Sequence, residues 1–316
     1  MSDGTVRVAI VGAGEIGRGW AALCVANGWP VTLYDHDSHA LEDGLQRAAD
    51  RAQHLVQLEN ATMASVEAGL STLVAGRSLL HACQNAEWVI EAVPEDLITK
   101  QKVFEGLETA AMKARVVTSS SSTFTAADIA ARCRRPDRVI VAHPLNPPEL
   151  VPLVELLGHQ TTDRALFEIL KGWLRALGRI PVTLKKPVRG NVANRMAAAV
   201  WREAIQLVLD GVIDVDDLDR AVSLGPGISW AAAGPHLTYH LAAGKAGVRG
   251  FLQGLAQQYE GIWESLATWH RLEPDQQSRL IGAIEKTYAD NIEVIRRARD
   301  RRLAALLQVL DAKRGG

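Results

Sequence analysis

Histidine, carboxylate, hydroxyl and amide residues recur in this chain at positions where they can do chemistry together. The segment Ala142-His143-Pro144-Leu145-Asn146-Pro147-Pro148 is followed closely by Leu153-Val154-Glu155. Histidine is the usual base for taking a hydroxyl proton near neutral pH. His143 follows the strand-like run Val139–Ala142 and precedes a proline-stiffened turn, which places it at the carboxyl edge of a sheet, where open α/β folds bind ligands. Glu155 has apolar neighbours on both sides, from Val151 to Leu157. A carboxylate in that setting needs a specific partner. Pairing with His143 would fix the imidazole tautomer and stabilise its charged form. Read more blandly, His143 is a turn histidine and Glu155 a surface charge. Two further polar clusters stand near the same edge. Thr118-Ser119-Ser120-Ser121-Ser122-Thr123 follows a strand directly, either as a polar loop or as the cap of a helix starting near Thr125. Asn191-Val192-Ala193-Asn194-Arg195 lies just beyond the last strand.

A glycine turn points to a second kind of chemistry. Gly12-Ala13-Gly14-Glu15-Ile16-Gly17 follows the β-branched run Val6–Val11 and opens a helical pattern from Glu15 to about Asn27. The next strand, Val31–Asp35, ends in an acid roughly 20 residues on, as the dinucleotide fingerprint requires. Gly12 permits the tight turn, Gly14 lets a pyrophosphate approach the backbone, and Gly17 lets helix pack on strand. Phosphates would then meet the free N–H groups at the helix start. Asp35 suits ribose hydroxyls and repels a 2′-phosphate; His36, Asp37 and Ser38 provide no arginine to offset that. NAD is therefore expected over NADP.

These residues need a parallel sheet to carry them. Strand, glycine turn, helix and strand make a βαβ unit. A helical hairpin is expected over Ser38–Arg77, and further strands at Trp88–Ala92, Val116–Thr118, Val139–Ala142 and Val182–Leu184. After Pro187 the texture becomes helical, with breaks at Gly225-Pro226-Gly227, Gly234-Pro235 and Pro274. The expected architecture is an α/β chain: a Rossmann-type, doubly wound N-terminal domain over 1–187, then an all-helical substrate and dimerisation domain over 188–316. The chain has 316 residues, of which 47% are hydrophobic and 22% charged, and its net charge is -1. Such a balance gives no reason to expect nucleic acid or a membrane as partner. Cys24, Cys83 and Cys133 are scattered and odd in number. They read as small buried residues of a cytoplasmic protein, and no signal-peptide pattern opens the chain. His236 and His240 stand at i, i+4, but no glutamate follows the first and no third ligand is evident, so no metal is expected.

Taken together, Gly12–Gly17, Asp35, Glu91-Ala92-Val93-Pro94-Glu95, Ser119–Ser122, His143–Pro147, Glu155 and Asn194-Arg195 resemble the 3-hydroxyacyl-CoA dehydrogenase superfamily in order and spacing. The closest likeness is to the branch holding lambda-crystallin/L-gulonate 3-dehydrogenase and carnitine 3-dehydrogenase. The resemblance implies His143 as general base, Glu155 as its orienting carboxylate, and Ser122 and Asn194 as hydrogen-bond partners of the substrate's 3-oxygen. It also implies that Gly12, Gly14, Glu15, Ile16, Gly17, Asp35, Val93, Glu95, Lys100, Ser120 and Asn146 line the NAD site, Glu95 and Lys100 along its nicotinamide end. A homodimer through the helical domain is a further implication.

The chain departs from that pattern in two places. Acyl-CoA members carry lysines after the second strand, whereas Asp37–Gly44 holds none and includes Glu42 and Asp43. Polyanionic CoA would be repelled there, which favours a small free 3-hydroxy acid, gulonate- or carnitine-like, over a thioester. Ser229, in Gly227-Ile228-Ser229-Trp230-Ala231, occupies the place of an arginine usual in gulonate and carnitine enzymes. Arg249, Arg202 and Arg195 are candidates for another carboxylate-binding cation, the alternative being a substrate without that carboxylate, and Ser229, Trp230, Tyr239 and His240 are candidate substrate contacts. The competing readings are a 3-hydroxyacyl-CoA or polyketide-type 3-oxo enzyme, and a non-catalytic, crystallin-like nucleotide binder.

Overall fold

The computed structural model describes residues 5–289 and 291–312. Its opening βαβ unit is β1 (Val8–Val11), α1 (Glu15–Ala26) and β2 (Val31–Tyr34). The hairpin α2 (Ser38–Gln57) and α3 (Met63–Leu70) follows, then β3 (Val74–Ala75) and α4 (Leu79–Cys83). Next come β4 (Trp88–Glu91), α5 (Leu97–Ala110), β5 (Val116–Ser119) and α6 (Ala126–Ile129). The strand series closes with β6 (Val139–Pro144), β7 (Leu153–Gly158), α7 (Arg164–Ala176) and β8 (Ile180–Thr183).

The eight strands lie in the order β3-β2-β1-β4-β5-β6-β7-β8. β1 to β6 pair in parallel; β7 runs antiparallel to β6, and β8 parallel to β7. The chain turns from one half of the sheet to the other at β1, and a doubly wound sheet opens its ligand crevice at such a point. Period-two alternation explains why both faces are covered. Ile10, Trp88, Ile90, Ile140 and Leu156 face a core shared with Trp20 and Leu23 of α1. Ala9, Val11, Val89, Val117 and Val141 face the other core, with Phe104 and Leu107 of α5. Side chains start the helices that flank the site. Asp37 accepts from the His39 and Ala40 amides, Asp96 from Thr99, and Thr125 forms a reciprocal capping box with Asp128.

Contacts divide the chain into two compact units, one running through Asn194 and taking back Asp300–Ala305, the other holding Arg195–Arg299 and the residues from Leu306 on. The later helices are α8 (Ala193–Leu209), α9 (Val215–Val222), α10 (Ile228–Ala242), α11 (Gly247–Ser265), α12 (Pro274–Thr287) and α13 (Ile292–Ala312). Within the second unit Ile205, Leu209 and Leu280 pack with Trp269, Leu272 and Ile284. Two of the expected helix breaks are bends. A π-type turn over Ser223–Gly227 joins α9 to α10, and Gly234, at φ +72° before Pro235, kinks α10. Pro274 instead opens α12, where its missing N–H costs nothing.

Three local readings need correction. His143 lies within β6, not after it. The segment carrying Glu155 is a strand of its own, β7. The hairpin region ends in β3, whose two exposed residues give no periodic signal. Among the described residues no helix is long and apolar enough to cross a membrane.

Candidate active site

Register brings His143 and Glu155 together. In the antiparallel β6–β7 ladder His143 stands directly opposite Glu155, so the two side chains share a face. His143 Nδ1 donates to Glu155 Oε2 at 3.0 Å, with both residues buried. The other carboxylate oxygen accepts from the amides of Val192 at 2.8 Å and Ala193 at 3.0 Å. Those amides are presented by a turn in which Gly190 and Asn191 both have positive φ, +79° and +50°. Asparagine is among the few residues that tolerate that conformation. Burial alone would raise the Glu155 pKa; the bonds from His143, Ala193 and Val192 outweigh it and hold the carboxyl below its ordinary value. With its proton on Nδ1, the ring leaves the Nε2 lone pair free, and Asn194 Nδ2 stands 3.5 Å from Nε2. This is an imidazole in the tautomer that accepts a proton.

Beside it, the serine loop after β5 is fastened by two carboxylates. Glu95 Oε1 accepts from Ser121 Oγ at 2.7 Å, Ser122 N at 2.9 Å and Thr123 N at 2.8 Å. Glu95 Oε2 lies 3.2 Å from Lys100 Nζ. Lys100 is 1% exposed, and its ammonium also donates to Glu91 Oε1 at 2.8 Å and Val93 O at 3.1 Å. Glu91 accepts in turn from Ser119 Oγ at 2.5 Å and Val93 N at 2.8 Å. Ser120 is reached from α1, where buried Trp20 donates its indole N–H to Ser120 Oγ at 3.1 Å.

The glycine turn has the cradle that a dinucleotide needs. Gly12 has φ +106°, and a Cβ there would stand 2.5 Å from Ala92 O. A Cβ on Gly17 would stand 1.8 Å from Gly12 O. At Gly14 a Cβ would meet nothing within 4 Å, so the backbone there opens on free space. Asp35 is steadied by the amides of Ala13 at 2.8 Å and Asp37 at 3.1 Å. The turn edges a cavity of about 1050 Å³, at the upper end of the roughly 300–1,000 Å³ of small-molecule sites.

That cavity, built from the first unit, joins most of the residues read from the sequence. Gly12, Gly14, Glu15, Ile16 and Asp35 line it, as do Val93, Glu95, Lys100 and Ser120. Ser122, His143, Asn146 and Asn194 line it as well. Gly17 lies beneath the turn, and Glu155 behind His143. Lys100 reaches the wall with its ammonium turned inward onto carboxylates.

Ser229, Trp230, Tyr239, His240 and Arg249 belong to the second unit. Ser229 Oγ donates to Gly225 O of the π-type turn that precedes α10. Tyr239 packs on Phe251 and Tyr259, with ring centroids 5.2 and 5.7 Å away. His240 Nδ1 accepts from Val248 N at 3.1 Å, so that nitrogen serves the first turn of α11. Among the described residues no cluster of three His, Cys, Asp or Glu side chains could hold a metal ion.

Sequence reasoning misses three contributors. Trp20 shows only helical periodicity. Arg51 of α2 bridges Glu15 of the glycine turn at 2.5 Å to buried Glu149 of the histidine loop at 3.2 Å, residues too far apart in sequence to signal a link. Glu91 is visible only as part of a motif.

A switch-point cavity edged by a glycine turn, with an acid just after β2 and a buried His–Glu pair, is the architecture of an NAD-dependent dehydrogenase on a Rossmann-type sheet. The sequence model of the 3-hydroxyacyl-CoA dehydrogenase NAD binding domain matches residues 7–187, and that of the C-terminal domain of the same enzymes matches residues 190–281. The chain belongs to the 3-hydroxyacyl-CoA dehydrogenase family. It is 35% identical to the L-carnitine dehydrogenase of Burkholderia mallei, covering 96% of this chain and 94% of the relative. With the L-carnitine dehydrogenase of Oceanobacillus iheyensis the identity is 31%, over 96% and 98%. Among solved structures it resembles 5-formyl-3-hydroxy-2-methylpyridine 4-carboxylic acid 5-dehydrogenase, described as an NAD+ dependent dismutase. That match has a TM-score of 0.79 and 27% identity, over 97% of this chain and 99% of the other.

Proposed function

We propose that the enzyme oxidises the 3-hydroxyl of a small free 3-hydroxy acid, with L-carnitine the first candidate, and runs the reverse reduction. The observation that carries this reading is the His143–Glu155 pair, whose free Nε2 belongs to the same cavity as the glycine turn. His143 takes the hydroxyl proton on Nε2. Glu155 holds the ring in place and stabilises the imidazolium that results. Ser122 and Asn194 orient the 3-oxygen by hydrogen bonds. The residues present fit the cofactor: amides of the glycine turn for the pyrophosphate, Asp35 for the ribose, and the Val93–Glu95 and Ser120–Ser122 segments for the nicotinamide end. Bound NAD supplies the hydride acceptor.

A free acid suits the site better than a CoA ester. Asp37 lines the cavity, α2 carries no lysine to receive phosphates, and its Arg47 is already engaged by Asp43. The likeness to L-carnitine dehydrogenases over nearly the whole chain supports the same choice. We further infer a cytoplasmic homodimer formed through the helical unit. Exposed apolar side chains such as Leu241, Leu252 and Trp263 on α10 and α11 support this.

The test follows NADH formation with L-carnitine, L-gulonate, 3-hydroxybutyrate and 3-hydroxybutyryl-CoA. Turnover of a free acid is expected; turnover of the CoA ester alone would overturn the substrate assignment. His143→Ala should lower kcat by about 10²–10⁴ while NADH still binds. Retained turnover would remove His143 as the base.

A further inference from the structure

Building on that reading, we propose that Glu91 is a positioning residue: through Lys100 it sets the place of Glu95, and thereby of Ser122. Glu91 ends β4 and is fully buried, and its lysine partner is 1% exposed. Such a pair is a poor device for stability alone, because well-packed apolar residues of similar volume commonly do as well or better. Its geometry is directed instead. Burial pushes the Glu91 carboxyl up, yet its oxygens accept from Lys100 Nζ, Val93 N and Ser119 Oγ.

Lys100 has three ammonium hydrogens and three acceptors: Glu91 Oε1, Val93 O and Glu95 Oε2. Two hydrogen bonds therefore fix the ammonium, and Glu95 cannot shift away without losing its ion pair with it. Glu95 passes that constraint to Ser121, Ser122 and Thr123. At the other end of the loop Ser119 Oγ bonds Glu91 and accepts from Ser121 N at 3.2 Å. Two carboxylates sharing one lysine thus grip both ends of the serine loop. Glu91 touches neither substrate nor cofactor in this scheme; it acts through what it holds.

Glu91→Gln keeps the shape and removes the charge that fixes Lys100. In the protein without ligands, amide hydrogen exchange at Ser121, Ser122 and Thr123 should quicken about tenfold or more, while β1 and β6 amides stay within about twofold. With the substrate that turns over, kcat should fall about 10- to 100-fold. Should that variant fail to fold, Glu91→Leu with Lys100→Met replaces the pair by apolar residues and should loosen the same amides. Unchanged exchange over 121–123, a uniform rise across the sheet, or an effect confined to the KM for NAD would each overturn the proposal. A wild-type enzyme inactive on the whole substrate panel would sink the substrate assignment alone, because the exchange readout needs no turnover.

Discussion

His143 and Glu155 are directly opposed across the antiparallel β6–β7 ladder, and one carboxylate oxygen serves the imidazole while the other serves two backbone amides. A one-residue slip of β7 would turn Glu155 to the opposite face of the sheet. The alignment of His143 with Glu155 therefore depends on strand register. Substituting Glu155→Gln exposes this dependence. The Val192 and Ala193 amides require an oxygen, so the glutamine must turn its NH2 toward His143 Nδ1. That forces the ring proton onto Nε2, the wrong tautomer for a base. We predict a fall in kcat of about 10²–10⁴ with NADH affinity unchanged. Turnover within a few-fold of wild type would show that Glu155 does not set the tautomer.

The same carboxylate makes a prediction for stability. Its folded pKa is depressed, so the folded state favours the ionised form. Its contribution is complete above the unfolded carboxylate value of about 4.3 and is lost as pH falls through the depressed folded value. Denaturation midpoints measured from pH 7 down to pH 3 should decline less steeply in Glu155→Gln than in wild type. Parallel curves would count against the predicted linkage.

The three glycines of the turn should separate folding from cofactor binding. Gly17→Ala places a methyl against Gly12 O, a clash only backbone movement can relieve; a loss of at least about 1–3 kcal/mol is expected. Gly14 has extended φ/ψ and open space at its Cβ position. Gly14→Ala should therefore melt like wild type yet bind NADH at least about tenfold more weakly, because its methyl stands where a pyrophosphate must approach. Calorimetry with and without NADH distinguishes the two. Undiminished NADH binding by Gly14→Ala would place the pyrophosphate elsewhere.

Asp35 is held by the Ala13 and Asp37 amides just after β2, and the proposed function gives its carboxylate the ribose hydroxyls. Asp35→Asn removes the charge that opposes a 2′-phosphate. The ratio of kcat/KM for NAD over NADP should shrink about tenfold or more, measured on one substrate. An unaltered ratio would mean that another group reads the ribose.

Much of this site is legible in the sequence because its chemistry is local. The glycine turn, Asp35 and the histidine segment each sit beside a strand pattern that says where they must lie. Glu155 is harder. Leu153–Gly158 is covered on both faces and shows no alternation, and nothing local reveals that β7 reverses direction to meet β6. The inward role of Lys100 is likewise invisible, since a lysine on α5 reads as a surface charge until Glu91, on another element, is placed beside it. The burial of Trp20 against Ser120 depends on contacts a hundred residues apart in sequence. Where tertiary partners decide a side chain's state, residue type and spacing carry no signal.

Glu149 illustrates that last class and gives a prediction of opposite sign to Glu155. It is 7% exposed; Oε1 pairs with Arg51 at 3.2 Å, and Oε2 is buried without a hydrogen-bond partner. Burial, which Arg51 only partly offsets, raises its pKa, with Glu15 and Asp300 adding to the rise. The folded state thus binds the Glu149 proton more tightly than the unfolded chain does. Stability should decline as pH rises from about 4.3 through the raised folded value, and be recovered on acidification through the same window. Glu149→Gln deletes that titration. The stability of the variant relative to wild type should therefore increase from pH 4 to pH 8 in urea denaturation, while Arg51 keeps its bond to Glu15. A constant difference between variant and wild type across that range would mean that Glu149 is already accommodated as an anion, with Arg51 sufficient to hold it.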